Sequence, residues 1–295
     1  MATVGLVGVG LLGAAVATRL LKAGHRVVGF DTAADRVRAL QNMGGEAAGS
    51  ARAVAGASDA VCTLLPSLPT VEAAILGADG IAAAGKPGQV VIQMSTISPG
   101  LSARLARESG TRGLDFLDCP VSGTSAVVAR GEGILFVGGD RAVFERWRPL
   151  LESMLPRAVH VGAPGQAMAL KLVANLLVAL HSAAAAEALH LIGRSGLDPA
   201  LALDALTASA ANSRMLEVRG PLMVRQEYPA QMKLGLFMKD LHLIQDAAST
   251  AGAAVPLTDA AERLYAAAAA AGHGDEDLAV VLTALAALPP RRPET

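Results

Sequence analysis

The 295-residue sequence predicts two consecutive domains: an α/β domain built on a doubly wound, largely parallel sheet, then an all-α domain entered through a long helix. Three features lead there. Apolar runs alternate with amphipathic stretches over residues 1–162, a glycine-rich turn separates the first run from the first amphipathic stretch, and after Gly165 only helical periodicity remains. In chain order, strands are expected at 4–9, 26–30, 60–65, 90–94, 116–117 and 134–138. Helices are expected between them at 11–23, 34–43, 70–76, 101–109 and 141–155. The Gly162-Ala163-Pro164-Gly165 turn ends that alternation, so the boundary is placed between a first domain at 1–162 and a second at 163–287. A helix from Gln166 to about Arg194 opens the second, and its stretch 176–191 is apolar or Ala almost all round, the pattern of a helix buried on several sides. Further helices are expected at 198–209, 213–225, 233–252, 256–272 and 275–287, and residues 288–295 read as a disordered tail.

Composition narrows the function. A net charge of −1 argues against nucleic acid or an anionic membrane as partner. No uninterrupted apolar run reaches the ~18 residues of a membrane span. The chain opens on its first strand, without a basic n-region, so a cytoplasmic location is expected. Cys62 and Cys119, far apart in sequence, read as reduced, buried thiols, and no C-x-x-C pair or His-rich spacing implies a metal.

The turn Gly8-Val9-Gly10-Leu11-Leu12-Gly13 follows the first strand and opens the first helix. In that context Gly8 permits a tight turn, Gly10 lets a pyrophosphate approach the backbone, Gly13 lets helix and strand pack closely, and the helix N-terminus faces the phosphates. Asp31 lies 18 residues after Gly13, near the ~20-residue spacing of the acid that takes the ribose hydroxyls. This is a dinucleotide site. Leu65-Pro66 and Ser95-Thr96 fall at the carboxyl ends of later strands, where nucleotides bind in such sheets. In the second domain, Lys171 and Asn175 are four apart and share a face of the long helix. The apolar surroundings and the helix dipole both favour a neutral Lys171 amine, fit to exchange a proton with an alcohol. Asp118 to Ser125 form a turn rich in small residues, Ser122, Gly123 and Thr124 among them, able to nest a carboxylate. In isolation, Lys239-Asp240 reads as a solvated charge pair, and the stripe Met215, Met223, Met232, Met238 as core.

Together these segments resemble the 3-hydroxyacid (β-hydroxyacid) dehydrogenases, such as 3-hydroxyisobutyrate dehydrogenase, almost end to end: Gly8-x-Gly10-x-x-Gly13, Leu65-Pro66, Ser95-Thr96-Ile97-Ser98-Pro99, Asp118-x-Pro120-Val121-Ser122-Gly123, Gly165-x5-Lys171-x3-Asn175, Lys239-Asp240-Leu241 and Gly274-x-x-Asp277. The resemblance implies a Rossmann domain with a doubly wound parallel sheet, an all-α domain swept by a long interdomain helix, and a homodimer or homotetramer. It makes Lys171 the catalytic lysine, with Asn175 helping to hold substrate. Ser122 and Gly123 match the loop that binds the substrate carboxylate, and Thr96 and Lys239 lie near the nicotinamide and ribose. The implied reaction interconverts a small 3-hydroxy acid and its semialdehyde, bound between the domains.

The family usually has a second Gly after Ser-Gly; here Thr124-Ser125 follows, which makes the anion pocket more polar and narrower. Sulfolactaldehyde reductases share that Thr-Ser but carry Arg where Gly123 stands. Gln93 and Arg19 replace a common Asp and a common Asn. Asp31 repels a 2′-phosphate, so NAD is expected as the preferred cofactor, while Arg36 leaves room for NADP. Arg214, Phe237 and Met238 are candidates for setting specificity. Two alternatives stay open: an NADPH-dependent imine-reductase-like enzyme, which would be expected to lack Lys171, and a non-catalytic NAD-binding paralogue.

Overall fold

The computed structural model describes residues 1–289. Its strands are β1 (Thr3–Val7), β2 (Arg26–Phe30), β3 (Glu46–Ala47), β4 (Ala60–Thr63), β5 (Val90–Gln93), β6 (Asp115–Asp118), β7 (Val121–Ser122), β8 (Ile134–Gly139) and β9 (Ala158–Gly162). They form one sheet in the order β3-β2-β1-β4-β5-β6-β8-β7, with β9 pairing β8. The first six strands pair in parallel; β8 runs antiparallel to β6 and β7 and parallel to β9. Between them lie α1 (Leu11–Lys22), α2 (Ala34–Asn42), α3 (Ala51–Ala57), α4 (Leu68–Leu76), α5 (Pro99–Gly110), α6 (Ser125–Ala129) and α7 (Arg141–Met154).

Residue alternation explains the layers. Ala60, Cys62, Val90 and Ile92 point into one core with Leu20, Leu135 and Leu151, while Val61 and Val91 point into a second with Val54, Ile75 and Leu105. Both faces are therefore covered, as a parallel sheet requires, and each fully buried Val or Ile contributes ~1.5–3 kcal/mol. The sequence reading omits β3, α3, β7, α6 and β9. The first four span only 2 to 7 residues, and β9 is half-exposed.

The first compact unit runs from Met1 to Leu172 and the second begins at Val173. That division falls inside α8 (Gln166–Ser195), past the 162/163 boundary expected from the turn, because the opening of α8 is buried in the first unit: Met168 belongs to its second core. α8 is long and apolar enough to cross a membrane by length and composition alone. The long core helices of globular proteins meet the same criteria, and Lys171, Asn175 and His181 interrupt its apolar run.

The second unit contains the rest of α8 and α9 (Pro199–Thr207), α10 (Arg214–Arg225), α11 (Leu234–Ala251), α12 (Pro256–Ala268) and α13 (Val281–Ala286). Asp198 and Ser213 cap α9 and α10 through their side chains. The single helix expected at 275–287 is a 3-10 turn at Leu278–Val280 running into α13. The core holds Leu216, Leu234, Leu241, Ile244, Val281 and fully buried Tyr265, whose hydroxyl donates to the Ala179 carbonyl of α8. Of the methionine stripe only Met223 is fully buried. Most of the tail read as disordered, residues 290–295, lies outside the described residues.

Candidate active site

The turn after β1 is held by close backbone approaches. Gly8 has φ +95° and donates its N–H to the Phe30 carbonyl at 2.8 Å; a Cβ there would sit 2.3 Å from the Leu64 carbonyl oxygen. A Cβ on Gly13 would sit 2.3 Å from the Gly8 oxygen, so no larger residue lets α1 start this close to the turn. At Gly10 the nearest atom to a Cβ, apart from its chain neighbours, is the Arg36 guanidinium at 3.6 Å, which leaves the backbone approachable. Asp31 secures the turn from the end of β2: Oδ2 accepts from Val9 N–H at 3.0 Å and Oδ1 from Ala33 N–H at 2.9 Å. Arg36 Nη1 stands 3.5 Å from Oδ2. An uncapped N-terminus, a cradle that only glycines permit and an adjacent carboxylate fit a dinucleotide. The half-buried Leu12 and exposed Leu11 form the first turn of α1.

Gln93 gains a physical role. It is fully buried; its Nε2 donates to the Ser95 carbonyl at 2.8 Å, and its Oε1 accepts from Ser95 N–H at 2.5 Å. Ser95 Oγ in turn accepts from Leu65 N–H at 2.8 Å. The Leu65-Pro66 and Ser95-Thr96 loops are thus joined by one buried polar network. Arg19 Nε donates to the Met154 carbonyl, tying α1 to the end of α7.

The start of α8 is anchored by Asp118, to which the sequence reading gave no role beyond the motif. Its Oδ2 accepts from Gly165 N–H and Met168 N–H, each at 3.1 Å, while Oδ1 is buried without a hydrogen-bond partner. Burial pushes Asp118 up to about 6, against the lowering effect of these backbone N–H groups. Lys171, sixth residue of α8, is 9% exposed. Four residues beyond Asp118, Ser122 ends β7 and Gly123 has φ +156°. Thr124 Oγ1 accepts from Val127 N–H and caps α6, so its hydroxyl shapes the loop. Cys62 and Cys119 are both buried, and burial pushes the Cys62 thiol up to about 12, so neither is a poised nucleophile.

In the helical unit, Asn175 Nδ2 donates to Asp240 Oδ2 at 2.8 Å, and Lys239 Nζ lies 3.1 Å from Asp240 Oδ1. Asp240 is 6% exposed. The solvated-pair reading is therefore corrected: only Lys239 reaches the surface, and Asp240 is a buried carboxylate between two expected site residues. A second buried pair, Arg219 Nε to Asp277 Oδ1 at 3.0 Å, holds α10 against the 231–232 loop, whose two N–H groups donate to Asp277 Oδ2. Phe237, a specificity candidate, is instead core: it is 1% exposed and packs edge-on against Tyr265. Arg214 is exposed and paired with Glu217; Met238 is half-buried. Among the described residues no group of three or more His, Cys, Asp or Glu is placed to hold a metal ion.

Residues 3–162 match the family model of the NAD binding domain of 6-phosphogluconate dehydrogenase. Residues 165–285 match that described as NAD-binding of NADP-dependent 3-hydroxyisobutyrate dehydrogenase. The chain is 35% identical to L-threonate dehydrogenase of Cupriavidus necator over 95% of this chain and 94% of that protein. It is 34% identical to 2-hydroxy-3-oxopropionate reductase of Escherichia coli over 95% of this chain and 96% of that one. The crystal structure of 3-hydroxyisobutyrate dehydrogenase from Salmonella typhimurium superposes with a TM-score of 0.87 at 34% identity, covering 95% of this chain and 99% of that one. The chain belongs to the 3-hydroxyacid dehydrogenase family: a Rossmann-type NAD(P)-binding domain followed by a helical domain, and an oxidoreductase of CH–OH groups using NAD or NADP.

Proposed function

We propose that the protein interconverts a small 3-hydroxy acid and its semialdehyde or 3-oxo acid, with Lys171 as general acid/base. The observation that carries this is Lys171 itself: a buried lysine on the opening turns of a helix whose start is anchored by Asp118, four residues before Ser122 in the chain. In the oxidation direction Lys171 Nζ takes the hydroxyl proton as the carbonyl forms. Ser122, Gly123 and Thr124 hold the substrate carboxylate, and Asn175 holds the reacting end. Gly8, Val9, Gly10, Leu11, Leu12, Gly13, Asp31, Leu65, Pro66, Thr96 and Lys239 bind the cofactor, which when bound accepts the hydride from the alcohol carbon. Asp31 favours NAD over NADP by repelling a 2′-phosphate. The functional division at 162/163, a cytoplasmic location and a homodimer or homotetramer belong to the same reading; exposed Val173, Leu177 and Leu191 on α8 support the oligomer.

The test is NAD and NADP reduction across a panel of 3-hydroxy acids, with Lys171→Ala as control. Wild-type turnover is expected, and the variant should lose ~10²–10⁴ in kcat while retaining cofactor binding. Unchanged turnover in the variant would remove Lys171 from the chemistry. Cofactor binding with imine reduction and no acid turnover would favour the imine-reductase-like alternative.

A further inference from the structure

We infer that Asp240 is a positioning residue that fixes which end of the Asn175 side-chain amide meets the substrate and, through Lys239, links that choice to cofactor binding. The inference rests on the function proposed above. A carboxylate has acceptors only, so the group Asn175 turns toward Asp240 Oδ2, 2.8 Å away, must be its N–H. Both side chains are buried, Asn175 at 5% and Asp240 at 6% exposure, so water does not replace the bond cheaply. A flipped amide would set its oxygen against a carboxylate oxygen, an arrangement that low-dielectric surroundings penalise. Asn175 is therefore locked with Oδ1 and one remaining N–H directed away from Asp240. An available Oδ1 accepts from a hydroxyl, which suits an alcohol substrate better than a group that only accepts.

The same carboxylate serves Lys239. Its ammonium lies 3.1 Å from Asp240 Oδ1, an ion pair adjacent to the Asn175 bond. Asp240 so presents Oδ2 to Asn175 in a hydrogen bond and Oδ1 to Lys239 as an ion pair by distance, without hydrogen-bond geometry. Removing its charge while keeping its shape should loosen both at once, whereas Asn175→Ala should affect the substrate alone.

The experiment is a double-mutant cycle in the full-length protein: wild type, Asn175→Ala, Asp240→Asn and the double variant. Each is read by kcat/KM for a hydroxy acid that the wild type oxidises and by NADH affinity from fluorescence titration. Asp240→Asn is expected to lower kcat/KM by about ten- to a hundredfold and to weaken NADH binding severalfold, and the double variant to be no worse than Asn175→Ala in its substrate KM. Multiplying effects on the substrate KM, or wild-type behaviour of Asp240→Asn, would overturn the inference while leaving the proposed reaction standing. A wild type that oxidises no hydroxy acid would overturn both. Should Asp240→Asn fail to fold, Asp240→Glu, which keeps the charge but displaces it by one methylene, completes the same cycle with the same expected signs.

Discussion

The two units place their site residues by different means. In the α/β unit, position comes from the backbone: parallel strands buried on both faces, a turn in which Gly8 and Gly13 admit no Cβ, and loops at the strand ends joined by Gln93 and Ser95. In the helical unit it comes from buried charge: Asp277 gathers Arg219 and three backbone N–H groups, and Asp240 gathers Asn175 and Lys239. Backbone fit tolerates no added volume, whereas a buried ion pair tolerates no loss of either partner. The α/β unit should therefore be broken by small additions and the helical unit by single deletions.

The largest expected effect is on the helical side. Arg219→Ala leaves Asp277 buried without its cation and should cost ~3–5 kcal/mol. The single tryptophan, Trp147, lies on α7 in the α/β unit, so its fluorescence follows that unit while far-ultraviolet circular dichroism follows all helices. The dichroism transition of the variant should begin at lower denaturant than the Trp147 transition; coincident transitions with wild-type midpoints would show that the pair does not hold the helical unit.

Asp118 is the α/β unit's exception, a position set by buried charge. Its folded-state value, about 6, lies above an ordinary carboxyl's. Its contribution is thus fully present below the unfolded value near 4 and is lost as pH rises through 6. Asp118→Asn, which removes the titration but keeps an acceptor for Gly165 and Met168, should gain on the wild type between pH 4 and 7 by at most ~3 kcal/mol. Parallel stability–pH curves from denaturant titrations would contradict this.

The glycine turn separates fit from function. Gly13→Ala must displace the Gly8 carbonyl and should cost ~1–3 kcal/mol. Gly10→Ala has space and should fold normally, yet bind NADH at least tenfold more weakly by fluorescence titration. Equal stability losses in both would make the turn a matter of packing alone. The smallest effect is at Arg36: Arg36→Ala should lower kcat/KM with NADP about tenfold, ~1.4 kcal/mol, with little change for NAD. An equal fall with both cofactors would place Arg36 at a feature they share.

This contrast also explains what was legible in the sequence. Gly8, Gly10, Gly13 and Asp31 obey a spacing imposed by backbone geometry, and the alternation of strand and helix over 1–162 follows from burial on two faces, so both could be read directly. The role of Asp240 could not: the Lys239-Asp240-Leu241 motif contains it but gives it no partner, and the Asn175 it binds lies 65 residues away on α8. Asp118, Arg219 and Asp277 likewise act through partners distant in sequence. Phe237 was misread for the same reason, since only the position of Tyr265 shows it to be core. The role of a buried polar residue is legible where local spacing defines it and hidden where a tertiary contact does.

The most direct test is chemical rescue of Lys171→Ala by small primary amines, measured as NADH formation from a hydroxy acid the wild type oxidises. If Lys171 is the general acid/base, added amine should restore part of the lost turnover, with a dependence on amine basicity. An inactive variant that binds NADH and substrate normally but gains nothing from any amine, or a variant as active as the wild type, would contradict the role given to Lys171.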